Sequence, residues 1–372
     1  MDVIENAQRI VVKVGSALVA KPDTGRVNHY WLAGLAKDIA LLRAMGKQVC
    51  VVSSGAVTLG RDLLGMDRES MQQSDKQAAA ACGQMVQMRA WQEVFVEDEI
   101  SVAQVLLTID DSEERKRYLN ARNTLDTLLT HGVVPIVNEN DTVATTGIRV
   151  GDNDRLAARV AQMIGADALI LLSDVDGMYS ADPTKHPDAE FIDVIDEITD
   201  DIRQQAAPTT TMTGTGGMIT KVMAASIATA SGCHTVIACG TDHTPITRLL
   251  HGHNRYTVFT AQTSPMTARK EWIAGALSPS GTLYADTGAL NALAQGNSLL
   301  PVGITAIEGM FHRGDAVLIC AESSREPYAK GLVCYHSDEL VQIIGRQSTH
   351  IADILGYERG DVVVHRDDMV IM

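Results

Sequence analysis

The sequence predicts an α/β fold: a three-layer α/β/α domain on a mainly parallel open sheet, followed by a small β-rich C-terminal domain. Three observations lead there. Short, continuous β-branched or apolar runs recur up to about residue 240, each stopped by Gly, Ser or Asn. Segments with helical spacing separate them. From about residue 270 the texture changes to short strand-like segments punctuated by Gly and Pro. Continuous apolar strands alternating with helices signify βαβ units, with a parallel sheet covered on both faces.

The elements follow in order. Residues 10–14 form a β-branched run halted at Gly15-Ser16. Trp31, Leu32, Leu35, Ala36, Ile39 and Leu42 recur at helical spacing until Gly46. Residues 49–52 are a buried-strand run, stopped by Ser53-Ser54-Gly55. A helix over about 74–97 leads to a strand at 102–107, and one over about 119–130 leads to a strand at 133–137. A helix opening at Asp154 and ending near Gly165 precedes a strand at 169–172. The last helix, about 218–231, precedes a strand at 236–238. Residues 241–268 hold scattered polar side chains without a clean period and read as irregular. Beyond Trp272, strand-like segments near 283, 304, 316–320, 331–335 and 362–364 alternate with turns. The domains are therefore placed at 1–265 and 270–372, divided near Ser264-Pro265.

Composition narrows the function. The chain has 372 residues, and 31 Lys+Arg against 46 Asp+Glu give a net charge of −15. That length suits two domains, and 45% hydrophobic residues suit a buried core. The acidic balance disfavours binding to nucleic acid or anionic lipid. No apolar stretch reaches the roughly 20 residues of a membrane span. The start, Met1-Asp2-Val3-Ile4-Glu5, lacks the basic and apolar regions of a signal peptide. None of the six cysteines sits in a C-x-x-C pair, as in reduced cytosolic proteins. The expected location is the cytoplasm.

Ligands of open parallel sheets bind beyond the carboxyl ends of the strands. The residues just past the apolar runs are thus the informative ones. Gly214-Thr215-Gly216-Gly217 precedes a helix and exposes backbone N–H groups at its N-terminus, with Lys221 one turn inside. That is an anion site by geometry and dipole, or else a plain glycine-rich turn. The spacing is not that of a Walker A loop. Lys13, within an apolar strand before Gly15, is either an edge residue facing solvent or a cation delivered to the strand end. Asp154 suits a first helical turn as a cap. A cap does not explain Glu139, Asp141 and Asp152 gathered with it; close carboxylates call for lysines, an ammonium group or Mg²⁺. His365-Arg366-Asp367 imitates a kinase tripeptide, but no partner motifs accompany it.

As a set these segments resemble the amino acid kinase family, and within it the branch that phosphorylates the γ-carboxylate of glutamate. The resemblance rests on the residues 12–16, 52–56, 119–122, 135–141, 150–154, 181–183 and 214–221. The C-terminal segment is similar to a PUA domain at Gly281, Asp286, Gly288-Ala289, Ser298-Leu299-Leu300-Pro301 and Arg313-Gly314-Asp315. What the resemblance implies is ATP-dependent phosphorylation of L-glutamate with Mg²⁺, the first step of proline biosynthesis. Lys13, Asp154 and Lys221 would be catalytic, with Asp154 orienting both lysines. Ser54, Asp141 and Asn153 would bind glutamate. Lys13, Ser173, Asp174, Thr215, Gly216, Gly217, Met218, Ile219, Thr220 and Lys221 would bind ATP, although Ile219 stands where the family often has a small polar residue. Asp152 would either help to bind glutamate or contact Mg²⁺ through water, and the direct metal ligands stay unassigned. The resemblance also implies inhibition by proline, a homo-oligomer, and functional coupling to glutamyl phosphate reductase.

Two rivals remain at the sequence level. Another acceptor, such as acetylglutamate, aspartate or a nucleotide, would keep the same fold, but the acidic cluster favours a substrate with a free ammonium group. RNA binding by the C-terminal domain is disfavoured, because 7 Lys+Arg face 13 Asp+Glu from Lys270 onward.

Overall fold

In the computed structural model the chain divides into two units, Met1–Pro265 and Met266–Met372. The structure describes residues 2–21, 24–67, 70–144, 152–206, 217–275, 277–357 and 360–372.

The strands of the first unit are β1 (Arg9–Val14), β2 (Gln48–Ser53), β3 (Val102–Leu107), β4 (Val134–Glu139), β5 (Ala168–Ser173), β6 (Met178–Tyr179), β7 (Phe191–Ile192), β8 (Val194–Ile195), β9 (His234–Cys239) and β10 (Tyr256–Phe259). Eight of them form one sheet in the order β3-β4-β2-β1-β5-β9-β10-β8. Every neighbouring pair runs parallel except β9 and β10. The two-residue strands β6 and β7 pair separately.

β1 lies near the middle, with Lys13 opposite Val52 of β2 and Leu171 of β5. Its side chains alternate between two cores. Ile10, Val12 and Val14 pack with Leu32, Leu35 and Ile39 of helix His29–Ala44 and with Trp91 and Phe95 of helix Gln73–Phe95. Val11 packs with Val160 of helix Asp152–Ile164 and Ala224 of helix Met218–Ala230. Lys13 continues the Val11 series, so it leaves the strand on the face carrying those last two helices.

The region 241–268 is more regular than its sequence suggests. Helix Pro245–Leu250 and strand β10 both fall within it. Proline at the first turn suits a helix start, but the cap comes from another element. Asp38, fully buried in helix His29–Ala44, accepts the N–H groups of Ile246 at 2.7 Å and Thr247 at 3.1 Å. A helix capped from a distance in sequence has no local signature. Helix Ala56–Leu64 was likewise unmarked, being only 9 residues long.

The second unit holds a five-stranded sheet of β11 (Gly281–Ala285), β12 (Ile304–Gly309), β13 (Ala316–Ala321), β14 (Pro327–Val333) and β15 (Val364–Ile371), in the order β12-β11-β13-β14-β15. Its core includes Leu283, Phe311, Val317, Ile319 and Tyr335. Helix Pro265–Gly275 is fastened to this sheet: Arg269 pairs with buried Asp368, and Lys330 donates to the carbonyl of Ala274 at 2.9 Å. Residues 266–269 thus belong with the second unit. No helix among the described residues is long and apolar enough to cross a membrane, and no disulfide joins any of the six cysteines among the described residues.

Candidate active site

Three charged side chains meet on the Lys13 face of the first sheet. Lys13 is the penultimate residue of β1, and its Nζ lies 2.6 Å from Oδ1 of Asp154. Asp154 sits in the first turn of helix Asp152–Ile164, where the helix dipole favours a carboxylate. Lys221, in the first turn of helix Met218–Ala230, places its Nζ 3.6 Å from Oδ2 of the same carboxylate. The Thr220 hydroxyl donates to that oxygen at 2.7 Å. Lys13, Asp154 and Lys221 are only 7%, 1% and 5% exposed.

Two cations thus share one anion out of water. Burial pushes the Asp154 carboxyl up, but the charges of Lys13 and Lys221 and the hydrogen bonds from Lys13 and Thr220 outweigh it and hold the group below the ordinary carboxylate range. Burial pushes the Lys221 amine down and Lys13 adds to that; Asp154 and the more distant Asp174 oppose it. The cluster sets two amines against one carboxylate, an excess that suits an anionic ligand.

On one side of β1 stand the ends of β2 and β4. The Ser54 N–H donates to the carbonyl of Val14 at 3.1 Å, which ties the β2 turn to the end of β1. Gly55 follows at φ 118°, in the left-handed region that favours glycine, and begins helix Ala56–Leu64. Asn138, at the end of β4, is buried, and its side-chain oxygen accepts the Glu139 N–H at 2.9 Å. Asp141 lies just beyond, half-buried. Asn153 precedes Asp154 on its helix, and its Oδ1 is buried without a partner among the described residues. Such an acceptor suits a ligand's ammonium or amide donor.

On the other side stand the ends of β5 and β9. Ser173 is buried; its hydroxyl donates to Asp174 at 2.9 Å and its carbonyl accepts the Gly240 N–H at 2.7 Å. Asp174 is exposed. Gly217 caps the helix that continues through Met218, Ile219 and Thr220 to Lys221. Thr215 and Gly216 lie outside the described residues, as does the side chain of Asp152. Among the described residues no group of three or more His, Cys, Asp or Glu could hold a metal ion.

The amino acid kinase family model matches residues 8–239, and the PUA domain model matches 281–355. The chain belongs to the amino acid kinase family. Relatives similar along almost the entire length carry one name. Glutamate 5-kinase of Paramagnetospirillum magneticum is 51% identical over 370 residues, covering 100% of this chain and 99% of its own. Glutamate 5-kinase of Rhodospirillum rubrum is 51% identical, covering 97% and 96%. That of Caulobacter vibrioides is 52% identical over 369 residues, covering 99% and 97%. Shared length extends this likeness through the PUA domain as well as the kinase unit.

Sequence reasoning about this amino acid kinase singled out the three charged residues but missed polar side chains beneath the strand ends. The resemblance implies only a nucleotide-binding role for Thr220, whereas its hydroxyl also reaches Asp154. Gln84 and Gln87, on helix Gln73–Phe95, contact Asn138 and the Ser53-Ser54 turn. Two glutamines one turn apart on the buried face of a helix were the available signal.

Proposed function

We propose that this kinase transfers the γ-phosphoryl group of ATP to the γ-carboxylate of L-glutamate, giving L-glutamyl 5-phosphate and ADP, the first step of proline biosynthesis. The observation that carries the reading is the Lys13–Asp154–Lys221 cluster. A carboxylate is already ionised at neutral pH, so it needs no general base. One of its oxygens attacks the γ-phosphorus, the bond to the bridging oxygen breaks, and ADP departs with that electron pair. The demands are in-line placement and neutralisation of spreading negative charge. Lys13 serves the β and γ phosphates, Lys221 the leaving side, and Asp154 holds both ammonium groups in place. Ser54, Asp141 and Asn153 receive glutamate, with Asp141 facing its α-ammonium group. Ser173, Asp174 and the segment from Thr215 through Gly216, Gly217, Met218, Ile219 and Thr220 to Lys221 receive the nucleotide.

Mg²⁺, when bound, shields the phosphate oxygens. It takes one or two carboxylates and otherwise water and phosphate, so it needs no protein cage. Asp174, exposed just past the end of β5, would be the carboxylate to hold it, and by the resemblance Asp152 would contact it through water.

Proline shares an α-carboxylate and an ammonium group with glutamate and competes at the same positions. A rising apparent KM for glutamate as proline is added is the expected result. The active species is a homo-oligomer in the cytoplasm, and its labile acyl phosphate is passed to glutamyl phosphate reductase.

The reading is tested by ADP release with ATP and Mg²⁺, trapping the acyl phosphate with hydroxylamine. Hydroxamate from glutamate, and none from aspartate or acetylglutamate, is expected. Product from either of the latter in place of glutamate would discard the substrate while keeping the phosphoryl chemistry.

A further inference from the structure

Helix Gln73–Phe95 sends two side-chain amides to the ends of two adjacent strands. Both hydrogens of the Gln87 amide are used: one goes to Ser53 Oγ at 2.7 Å, the other to the carbonyl of Ser54 at 2.7 Å. A turn later on the helix, the indole N–H of Trp91 donates to the same Ser53 Oγ at 3.1 Å. One turn earlier, Gln84 Oε1 accepts from the side-chain amide of Asn138 at 2.9 Å. Gln87, Trp91 and Ser53 are fully buried and Gln84 nearly so. The helix is close enough because it crosses helix Ala56–Leu64 at two glycines, Gly60 and Gly83.

Stability alone does not account for these amides. Gln87 Oε1 and Gln84 Nε2 are buried without a partner among the described residues. An unpaired buried polar atom costs free energy, and apolar groups of the same shape are often neutral or better. The pair thus leaves two polar atoms unpartnered among the described residues while imposing geometry on two turns.

The two turns are those that follow β2 and β4. They carry Ser54 and Asp141, on the opposite side of β1 from Ser173 and Asp174. We infer that Gln87, backed by Trp91 and paired with Gln84, is a positioning residue for the acceptor half of the site. It sets the direction of the Ser54 peptide, and with it the pocket that receives the acceptor's polar groups. This rests on the assignment of glutamate to the β2–β4 side.

The test is Gln87→Met, which keeps the shape and removes both donors. The KM for glutamate is expected to rise about tenfold, as for one lost hydrogen bond, while the KM for ATP stays within about twofold. A purely structural role would lower the midpoint of urea unfolding and leave the two KM values unchanged or shifted together; that result overturns the inference. Should Gln87→Met fail to fold, Ser53→Ala deletes the shared acceptor with less disturbance. A rise in the glutamate KM alone again supports positioning, and unchanged KM values overturn it. If the wild type phosphorylates a different acceptor, the glutamate assignment falls, and the same KM comparison on that acceptor decides the role of Gln87.

Discussion

The Nζ of Lys13 lies 2.6 Å from Oδ1 of Asp154, and both groups are shut away from solvent. The same carboxylate is the largest influence keeping the Lys221 amine protonated against its burial. Asp154→Asn removes that influence and leaves only Asp174 to oppose burial and Lys13, both of which favour the neutral amine. In the proposed mechanism Lys221 serves as a cation, so activity should be lost as pH rises through its pKa. The alkaline limb of the kcat/KM profile should therefore move to lower pH in Asp154→Asn. At neutral pH the loss should be on the order of 100-fold or more. A profile measured for both proteins checks this, and an unshifted alkaline limb would contradict it.

Lys221→Met and Lys13→Met should separate catalysis from stability. Lys221 stands 3.6 Å from Asp154 and Lys13 2.6 Å. Removing Lys221 leaves Asp154 its closer partner and relieves the burial of an ammonium group. Its unfolding midpoint should change little while kcat falls by roughly 100- to 1000-fold. Removing Lys13 strips the close pair from a buried carboxylate and should cost about 3 kcal/mol in stability as well. Urea unfolding beside steady-state kinetics would reveal the contrast; equal stability losses would refute it.

Much of the site was legible because charge is conspicuous in an apolar run. Lys13 is the one ionisable residue between Ile10 and Val14, and the glycines before Met218 announce a helix N-terminus. Gln84, Gln87 and the Thr220 hydroxyl were not legible. Their roles arise from which helix crosses which strand end, and one sequence does not state that. Strand β10 was missed for a related reason. It is four residues long and half-polar, and it is defined by antiparallel pairing with β9. The residues Thr215 and Gly216 lie outside the described residues, so their nucleotide role rests on the resemblance.

The remote cap of helix Pro245–Leu250 gives a pH-dependent expectation. Burial raises the Asp38 carboxyl above its ordinary 3.8, although the Thr247 hydroxyl and the two backbone N–H groups oppose the shift. A raised folded pKa means stability that is complete below the unfolded value and declines as pH climbs through the folded one. Asp38→Ala should cost about 2 kcal/mol by orphaning these donors. The gap between the proteins should be widest below the unfolded pKa and narrow as pH rises through the folded one. Urea unfolding at several pH values measures it, and a gap that widens with pH would be inconsistent with a raised pKa.

The crossing of helices Ala56–Leu64 and Gln73–Phe95 yields the most localised expectation. A Cβ on Gly60 would stand 1.7 Å from the carbonyl oxygen of Ala79 and 2.7 Å from the backbone nitrogen of Gly83. Backbone atoms cannot rotate away as a side chain would, so the helices must separate. Gly60→Ala should cost roughly 1–3 kcal/mol, the range for overpacked cores. The displacement also draws Gln87 away from the Ser53-Ser54 turn, so the glutamate KM should rise more than the ATP KM. Gly275→Ala is the control: a Cβ there meets nothing within 4 Å, and its effect should stay within about 0.5 kcal/mol. Stability loss in Gly60→Ala without a change in the KM ratio would mean that the helix contact and the acceptor turn are mechanically independent.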